Sequence, residues 1–180
     1  MLIDAKQSLL LTIDVQERLL PAIHEGDRVL ANCLKLIEAA RRLEIPALCS
    51  EQYPKGLGPS VPELKAALAS DEIMPKLHFS CAADPDMARR IAESGRRQLI
   101  LCGVEAHVCV LQSAFGFREA GYDVFVVLDA VSSRSPDSVA AARDRFLAGG
   151  VSVVTLEMVL FEWLHQAATP EFRDLRGLIT

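Results

Sequence analysis

No stretch of this sequence is apolar for long enough to cross a bilayer, and no run of lysine and arginine is longer than a pair. A membrane-spanning helix needs about 20 apolar residues in succession, and nucleic acids and acidic membranes bind clustered positive charge. Lysine and arginine number 19 against 24 aspartates and glutamates, which gives a net charge of -5. We therefore expect neither a membrane nor a nucleic acid among the partners of this protein.

The cysteines lack the pattern of a disulfide framework. They number five, which is odd, and no CxxC spacing occurs. Disulfide frameworks are typical of short secreted chains with an even number of cysteines. The beginning of the sequence also has no signal-peptide pattern. We therefore expect reduced thiols and a cytoplasmic location. The cysteines are Cys33, Cys49, Cys81, Cys102 and Cys109.

Sequence motifs for nucleotides and metals are missing as well. Neither GxGxxG nor GxxxxGK[ST] occurs, which excludes a Rossmann-type dinucleotide site and a P-loop. The metal-binding spacings HxxxH and HExxH are also absent. We therefore expect no cofactor and no metal.

The chain does contain a regular alternation of apolar strand patterns and amphipathic helix patterns. Its length and its 51% hydrophobic content fit one domain over residues 1–180. The predicted strands are residues 8–13, 45–50, 72–74, 99–102, 123–128 and 151–156. The predicted helices are residues 28–43, 63–69, 84–94, 135–147 and 157–166, with a further helix from Val108.

Strands that alternate with helices form parallel βαβ units with helices on both faces of the sheet. We therefore predict the α/β fold class: a three-layer α/β/α domain around a six-stranded, mostly parallel sheet with the Rossmann-like order 3-2-1-4-5-6. In that order the ligand crevice lies at the carboxyl ends of the first and fourth strands. Asp14 follows the first strand, and the turn 103–109 follows the fourth.

Cys109 lies in the first turn of the helix that follows the fourth strand. The unpaired N–H groups there favour an anion, so a thiol in this position tends towards the nucleophilic thiolate. Periodicity alone fits a small buried hydrophobe equally well, as most free cysteines are. From the residues alone, both interpretations of Cys109 remain open.

A cysteine nucleophile needs a base or a stabilising cation. Asp14 can act as the base, because a carboxylate in an apolar cleft can have a raised pKa. Lys76 can stabilise a thiolate and an oxyanion, although most lysines are solvated surface residues. His107 lies two residues before Cys109 and does not face it on a helix. Residues that flank these positions are candidates for the substrate pocket: Gln16, Glu51, Tyr53, Phe79 and His107.

Five segments, in this order, resemble the isochorismatase-like cysteine hydrolase superfamily, and within it the isochorismatase domain-containing proteins. They are LLLTIDVQERL, EQYPKGLG, PKLHFSC, LCGVEAHVCVLQSA and VVLDAVSSRS. The resemblance extends from residue 9 to about residue 164. It implies a catalytic triad of Asp14, Lys76 and Cys109, which favours the nucleophile interpretation of the cysteine.

The resemblance also implies a cis peptide bond between Val104 and Glu105, which shapes an oxyanion hole with Ala106. Nicotinamidases of the superfamily have an Asp-x-His metal motif where this chain has Glu51-Gln52-Tyr53, so we predict no zinc and no nicotinamidase activity. Isochorismatases of the superfamily lack the cysteine and cleave a vinyl ether by acid catalysis. The presence of Cys109 here favours a different reaction.

The resemblance therefore implies a hydrolase that cleaves a small amide or related C–N bond through a thioester-type intermediate. One alternative is an isochorismatase-type vinyl-ether hydrolase that uses Asp14 as an acid. A second is a binding or scaffold protein that has kept the fold without turnover.

The last long helix is apolar on more than one face, as Met158, Phe161 and Trp163 illustrate. Such a helix is buried in its own domain or under a partner. We predict a symmetric homo-oligomer, a dimer or larger, and we expect the polar tail 170–180 to be surface or a partner contact.

Overall fold

The computed structural model describes residues 1–179; Thr180, at the end of the predicted domain and tail, lies outside the described residues. A six-stranded sheet with the order β3-β2-β1-β4-β5-β6 forms its centre, and all neighbouring strands are parallel. The predicted fold class and strand order are therefore confirmed. The strands are β1 (Ser8–Ile13), β2 (Ala47–Gln52), β3 (Ile73–Lys76), β4 (Gln98–Val104), β5 (Asp123–Ser132) and β6 (Ser152–Val154).

Helices cover both faces of the sheet. None of the helices within residues 1–179 is both long and apolar enough to span a membrane. The helices are α1 (Gly26–Arg42), α2 (Pro54–Leu57), α3 (Pro62–Ala67), α4 (Pro85–Glu93), α5 (Leu111–Glu119), α6 (Pro136–Ala148), α7 (Leu156–Leu164) and α8 (Pro170–Leu175). A π-helical turn, Ala106–Val110, precedes α5 directly.

The two faces of the sheet carry two separate apolar cores, because successive strand side chains point to opposite faces. In β1, Leu10 packs into the core that α1, α3, α7 and α8 cover. Leu9 and Leu11 pack into the core that α4, α5 and α6 cover. This burial on both faces is why the strands have the near-continuous apolar runs typical of parallel sheets.

Strand β5 is longer than predicted, because Asp129 was interpreted as the end of the strand. Its carboxylate instead accepts a hydrogen bond of 2.8 Å from the backbone N–H of Leu156, at the first position of α7. Beyond a register shift between Leu101 and Gly103, β5 continues beside β4 to Ser132. Asp129 thus lies inside a strand and satisfies a free backbone N–H group at the start of helix α7.

Two segments predicted as irregular contain short helices. The loop between β2 and β3 includes α2, and the polar tail includes α8. Thr169 caps α8 through its hydroxyl, and Leu175 is buried in the core beside α1. Part of the tail is therefore packed against its own domain, whereas the polar composition predicts a surface or a partner contact.

Gly103 allows β1 and β4 to meet at the edge of the sheet that carries the candidate site. It has a φ of 104°, and a Cβ atom there would lie 2.1 Å from the carbonyl oxygen of Ile13. We expect Gly103→Ala to lower the free energy of unfolding by at least about 3 kcal/mol, because backbone strain and a backbone clash combine.

Gly95→Ala is the matched control. Gly95 also has a positive φ, 68°, but a Cβ atom there has no neighbour within 4 Å. Its cost should be about 1 kcal/mol, from the backbone alone. Urea unfolding of both variants measures the difference, and equal losses would contradict the close approach of β1 and β4 at Gly103.

Candidate active site

The carboxyl edge of the sheet brings together three side chains that are distant in sequence. Asp14 directly follows β1, Lys76 is the last residue of β3, and Cys109 lies in the π-helical turn after β4. All strands are parallel, so their carboxyl ends meet at one edge. The three residues are 0%, 2% and 6% exposed, respectively. The topology thus creates a buried cluster of an acid, an ammonium and a thiol.

Asp14 is held at both carboxylate oxygens. Its Oδ1 accepts a 2.6 Å hydrogen bond from the Ser50 hydroxyl, and its Oδ2 accepts one of 2.8 Å from Lys76 Nζ. Burial raises the pKa of Asp14 more than these two partners lower it, so the pKa remains above its usual value. A carboxylate with a raised pKa is a better proton acceptor than an exposed one.

Lys76 uses all of its hydrogen-bonding capacity within the protein. Its Nζ donates to Asp14 Oδ2, to Gln52 Oε1 at 2.7 Å and to the carbonyl oxygen of Phe79 at 3.2 Å. Burial lowers the pKa of Lys76, but the attraction of Asp14 and other neighbours outweighs burial and leaves the pKa raised. An ammonium has three donors, so Lys76 stays charged and has no donor left for a ligand.

The surroundings of Cys109 raise the pKa of its thiol, which is the opposite direction to the predicted tendency towards thiolate. Burial raises its pKa well above the usual range, and the charge of Asp14 raises it further, while Lys76 lowers it by less. The position of Cys109 at a helix start therefore does not bring its pKa below the usual value. Asp14 and Cys109 line the same cavity and their side chains interact, so the thiol has a proton acceptor beside it.

The segment before Cys109 has an unusual backbone. The peptide bond between Val104 and Glu105 is cis. The carbonyl oxygen of Glu105 accepts hydrogen bonds from the N–H groups of Val108, at 3.1 Å, and Val110, at 3.2 Å. Ala106, fully buried, is the first residue of the turn. The first N–H groups of such a turn have no partner within it, so they are available to an oxygen beside Cys109.

A cavity of about 200 Å³ opens beside Cys109. Apolar side chains form most of its wall, and two carboxylates and one amide complete it. The lining residues are Asp14, Leu19, Gln52, Leu57, Phe79, Glu105, Val108 and Cys109. Of the five residues predicted for the substrate pocket, Phe79 lies here.

The other four predicted pocket residues do not line this cavity. The Gln16 amide donates to the carbonyl oxygens of Gln52 and Gly58, at 3.0 and 2.6 Å, and fastens the loop after β2. The Glu51 carboxylate accepts from the backbone N–H of Ser60. Tyr53 is half-exposed and lines a separate, wider groove, and a ring nitrogen of His107 lies 2.9 Å from the Ser133 hydroxyl.

Gln52 and Ser50 contribute to the site but were not singled out from the sequence. Their side chains lie two residues apart on β2, and residues two apart share one face of a strand. Ser50 binds Asp14, and Gln52 binds Lys76. The alternation of side chains along β2 therefore predicts that Ser50 and Gln52 face the same side, and both could have been identified from the sequence. Leu19 comes from a turn and Leu57 from the four-residue helix α2, and both are too short for a periodic signal in the sequence.

Within the part of the chain that the structure describes, no group of three or more His, Cys, Asp and Glu side chains is arranged to hold a metal ion. The Glu51 carboxylate, at the first position of the segment that carries a metal motif in nicotinamidases, is bound to the Ser60 backbone.

A parallel sheet in this order, with an acid, a lysine and a cysteine at its switch point, is the architecture of an isochorismatase-like hydrolase. The family model "Isochorismatase domain" matches residues 8–158. Isochorismatase domain-containing protein 2 of Danio rerio is 37% identical over 177 residues, which cover 98% of this chain and 89% of that protein. The chain therefore belongs to the isochorismatase family and has its hydrolase fold.

Two solved structures illustrate the similarity. One, described as the MAR1 ribonuclease from Caenorhabditis elegans, has a TM-score of 0.92 and 36% identity, covering 99% of this chain and 92% of that one. The other is the YcaC gene product from Escherichia coli, described as an octameric hydrolase of unknown specificity. It has a TM-score of 0.90 and 27% identity, covering 99% of this chain and 95% of that one.

Proposed function

We propose that this chain is a cysteine hydrolase that cleaves a small-molecule amide or related C–N bond through a thioester at Cys109. The observation that carries this proposal is the thiol at a small cavity, beside a buried carboxylate whose pKa is raised. That carboxylate is in turn bound to a buried ammonium. The three groups supply a nucleophile, a base and a positive charge within one water-poor site.

In the first half of the reaction, Cys109 Sγ attacks the carbonyl carbon of the amide as Asp14 takes the thiol proton. The carbonyl oxygen becomes an oxyanion, which the backbone N–H groups of Ala106 and Cys109 stabilise. Asp14 then gives its proton to the leaving nitrogen. The C–N bond breaks, the amine departs, and a thioester remains on Cys109.

In the second half, Asp14 takes a proton from a water molecule, whose oxygen attacks the thioester carbonyl. The C–S bond breaks, and the sulfur takes the proton back from Asp14. The carboxylic acid leaves, and the neutral thiol and the carboxylate are restored. One group thus acts as base and acid in each half, for which a pKa nearer to neutrality than that of an exposed carboxylate is favourable.

Lys76 contributes its charge and not a hydrogen bond to the substrate. Its three donors are occupied by Asp14, Gln52 and Phe79. An ammonium in a buried site still stabilises a developing thiolate and oxyanion through its charge, because the effective dielectric constant is low there. Because burial and Asp14 raise the pKa of the Cys109 thiol, this charge acts on the anions that develop during the attack.

Three other functions make different predictions. A vinyl-ether hydrolase of isochorismatase type uses Asp14 as an acid and leaves Cys109 idle. A scaffold protein turns over nothing. RNA cleavage, suggested by the name of the Caenorhabditis elegans neighbour, is disfavoured by the net charge of -5 and by the small cavity.

An assay of the purified protein on small uncharged amides, isochorismate and single-stranded RNA tests the proposal. We expect amine or ammonia release from at least one amide, with no cleavage of the vinyl ether or the RNA. Treatment with a chelator should leave the rate unchanged, since no step needs a metal. Cleavage of isochorismate or RNA without amide hydrolysis would overturn the proposed function.

We also propose that the chain forms a symmetric homo-oligomer. Most apolar residues of α7 pack into its own core, but Met158 and Phe161 remain 46% and 48% exposed. Large exposed apolar side chains that lie together often mark an interface. The octameric state described for the Escherichia coli neighbour supports the same conclusion.

Light scattering after size exclusion measures this assembly. We expect the mass of a dimer or larger, and we expect Phe161→Glu to reduce it, because a charge would be buried without a partner at the interface. A monomeric mass for the unmodified protein at high concentration would contradict the proposal.

A further inference from the structure

Glu105 lines the cavity, but its side chain has no task in the mechanism above, which uses only the backbone near this residue. It lines the cavity together with Asp14 and Cys109 and is 8% exposed. A carboxylate is seldom buried without a reason, because its desolvation is costly. The question is therefore what this second acid does to a ligand.

Only one oxygen of Glu105 is bound within the described residues. Its Oε2 accepts from the backbone N–H of Arg134 at 3.2 Å and from Arg134 Nε at 3.0 Å. The Oε1 accepts no hydrogen bond within residues 1–179. The two side chains differ in environment: that of Arg134 is 63% exposed and that of Glu105 is 10% exposed. Water therefore screens the charge of the arginine more than that of the acid.

The cavity has no side-chain cation free to bind an anion. Lys76 is not among its lining residues, and the donors of its ammonium are occupied. A carboxylate in the cavity would lie near Asp14 and Glu105, both acids, and no cationic side chain among the lining residues would compensate its charge. An uncharged amide meets no such repulsion.

We propose that Glu105 is a specificity-determining residue that admits uncharged amides to the cavity and repels ligands that carry a carboxylate. This inference rests on the proposed function and names the substrate class: small, uncharged carboxamides whose acyl group is apolar enough for Leu19, Leu57, Phe79 and Val108. Specificity of this kind works against the wrong ligand as much as for the right one.

The same repulsion acts on the product. Hydrolysis converts an uncharged amide into a carboxylic acid that ionises at neutral pH. Once ionised beside Asp14 and Glu105, this product is driven out of the cavity, so the acid should be a poor inhibitor. Dicarboxylates such as isochorismate are excluded for the same reason.

Alkylation of Cys109 measures this charge selection without knowledge of the natural substrate. Iodoacetamide and iodoacetate have similar shapes and deliver their carbon to the same sulfur, but only the second is an anion. The measured quantity is the ratio of the two rates at Cys109, from peptide mass analysis, divided by the same ratio for 2-mercaptoethanol. We expect a normalised ratio of about 10 or more in favour of iodoacetamide, from like-charge repulsion at short range.

Three variants test the residue assignment. Glu105→Gln keeps the shape of the side chain and should reduce the normalised ratio at least about fivefold, because one negative charge is lost. Arg134→Gln should raise the ratio about twofold or more, because Glu105 loses its neutralising partner. Glu38→Gln removes an exposed carboxylate from α1, on the other face of the sheet, and should change nothing.

The outcomes separate this inference from the proposed function. Alkylation of Cys109 with the same ratio in the unmodified protein, Glu105→Gln and Arg134→Gln would overturn the charge selection and leave the nucleophile intact. If Glu105→Gln does not fold, an unchanged ratio in Arg134→Gln is sufficient to overturn it. If neither reagent labels Cys109, both proposals are wrong, because the cavity then admits no small uncharged amide.

Discussion

We expect Cys109→Ala to lower kcat/KM for any accepted amide at least about 10³-fold, because removal of a nucleophile removes the covalent route altogether. The fold should survive, since a buried cysteine behaves as a small hydrophobe and its truncation costs about 1 kcal/mol. Cys109→Ser should be nearly as inactive, because a hydroxyl is harder to deprotonate than a thiol and no histidine base stands beside it.

A control variant at another buried cysteine and a variant of the proposed base make this prediction more specific. Cys33→Ala removes a buried thiol from α1, in the other core, and should keep full activity. Asp14→Asn should be as damaging as Cys109→Ala, and the double variant little worse than either, because residues that act as a unit are not additive. If Cys109→Ala retained activity while Asp14→Asn lost it, Asp14 would act as an acid without the thiol.

The second large effect is on stability. We expect Lys76→Met to lower the free energy of unfolding by about 3–5 kcal/mol, because it leaves the Asp14 carboxylate buried without its positive partner. Both side chains of this ion pair are 0% exposed. Activity should be lost as well, since the charge that stabilises the thiolate and the oxyanion is gone.

The cost of Lys76→Met should depend on pH in a defined direction. Lys76 lowers the pKa of Asp14, so its removal raises that pKa further above the value of about 4 in the unfolded chain. A group whose pKa is higher in the folded state gives most stability below its unfolded pKa and loses it as pH rises. The deficit relative to the unmodified protein should therefore grow as the pH rises above the pKa of Asp14 in the unmodified protein, which is itself raised.

Two further variants test whether the loss of stability comes from the buried ion pair between Asp14 and Lys76. The double variant Asp14→Asn with Lys76→Met removes both charges and should recover much of the stability, but none of the activity. Arg89→Met breaks an exposed ion pair with Asp86 on α4, which should cost at most about 1 kcal/mol. Urea unfolding measures all of these, and a loss from Lys76→Met no larger than that from Arg89→Met would contradict the buried pair.

The strand order could be predicted because each strand has an apolar run and the helices between them force parallel connections. The same rule predicted that Asp14 and the turn before Cys109 would meet at one edge of the sheet. The end of β5 was missed because Asp129 has a distant role as the cap of α7. When a side chain forms its hydrogen bond with a distant element, the neighbouring sequence does not reveal that contact.

The local chemistry of the site was harder to predict than its position. The helix start indicated a thiolate at Cys109, but burial and Asp14 raise its pKa. Burial depends on how the surrounding loops close, and no periodicity encodes that. The cavity wall shows the same limit. Leu19 lines it from a turn and Leu57 from the short helix α2, whereas Gln16 and Glu51 hold the loop after β2.

The central claim, a covalent acyl group on Cys109, is tested most directly by product partitioning in hydroxylamine. Two amides with the same acyl group and different leaving amines are hydrolysed, and the ratio of hydroxamate to carboxylic acid is measured for each. A common thioester predicts the same ratio for both amides, and no product of either kind from Cys109→Ala. Ratios that differ with the leaving amine, or acid released without hydroxamate, would contradict a shared intermediate.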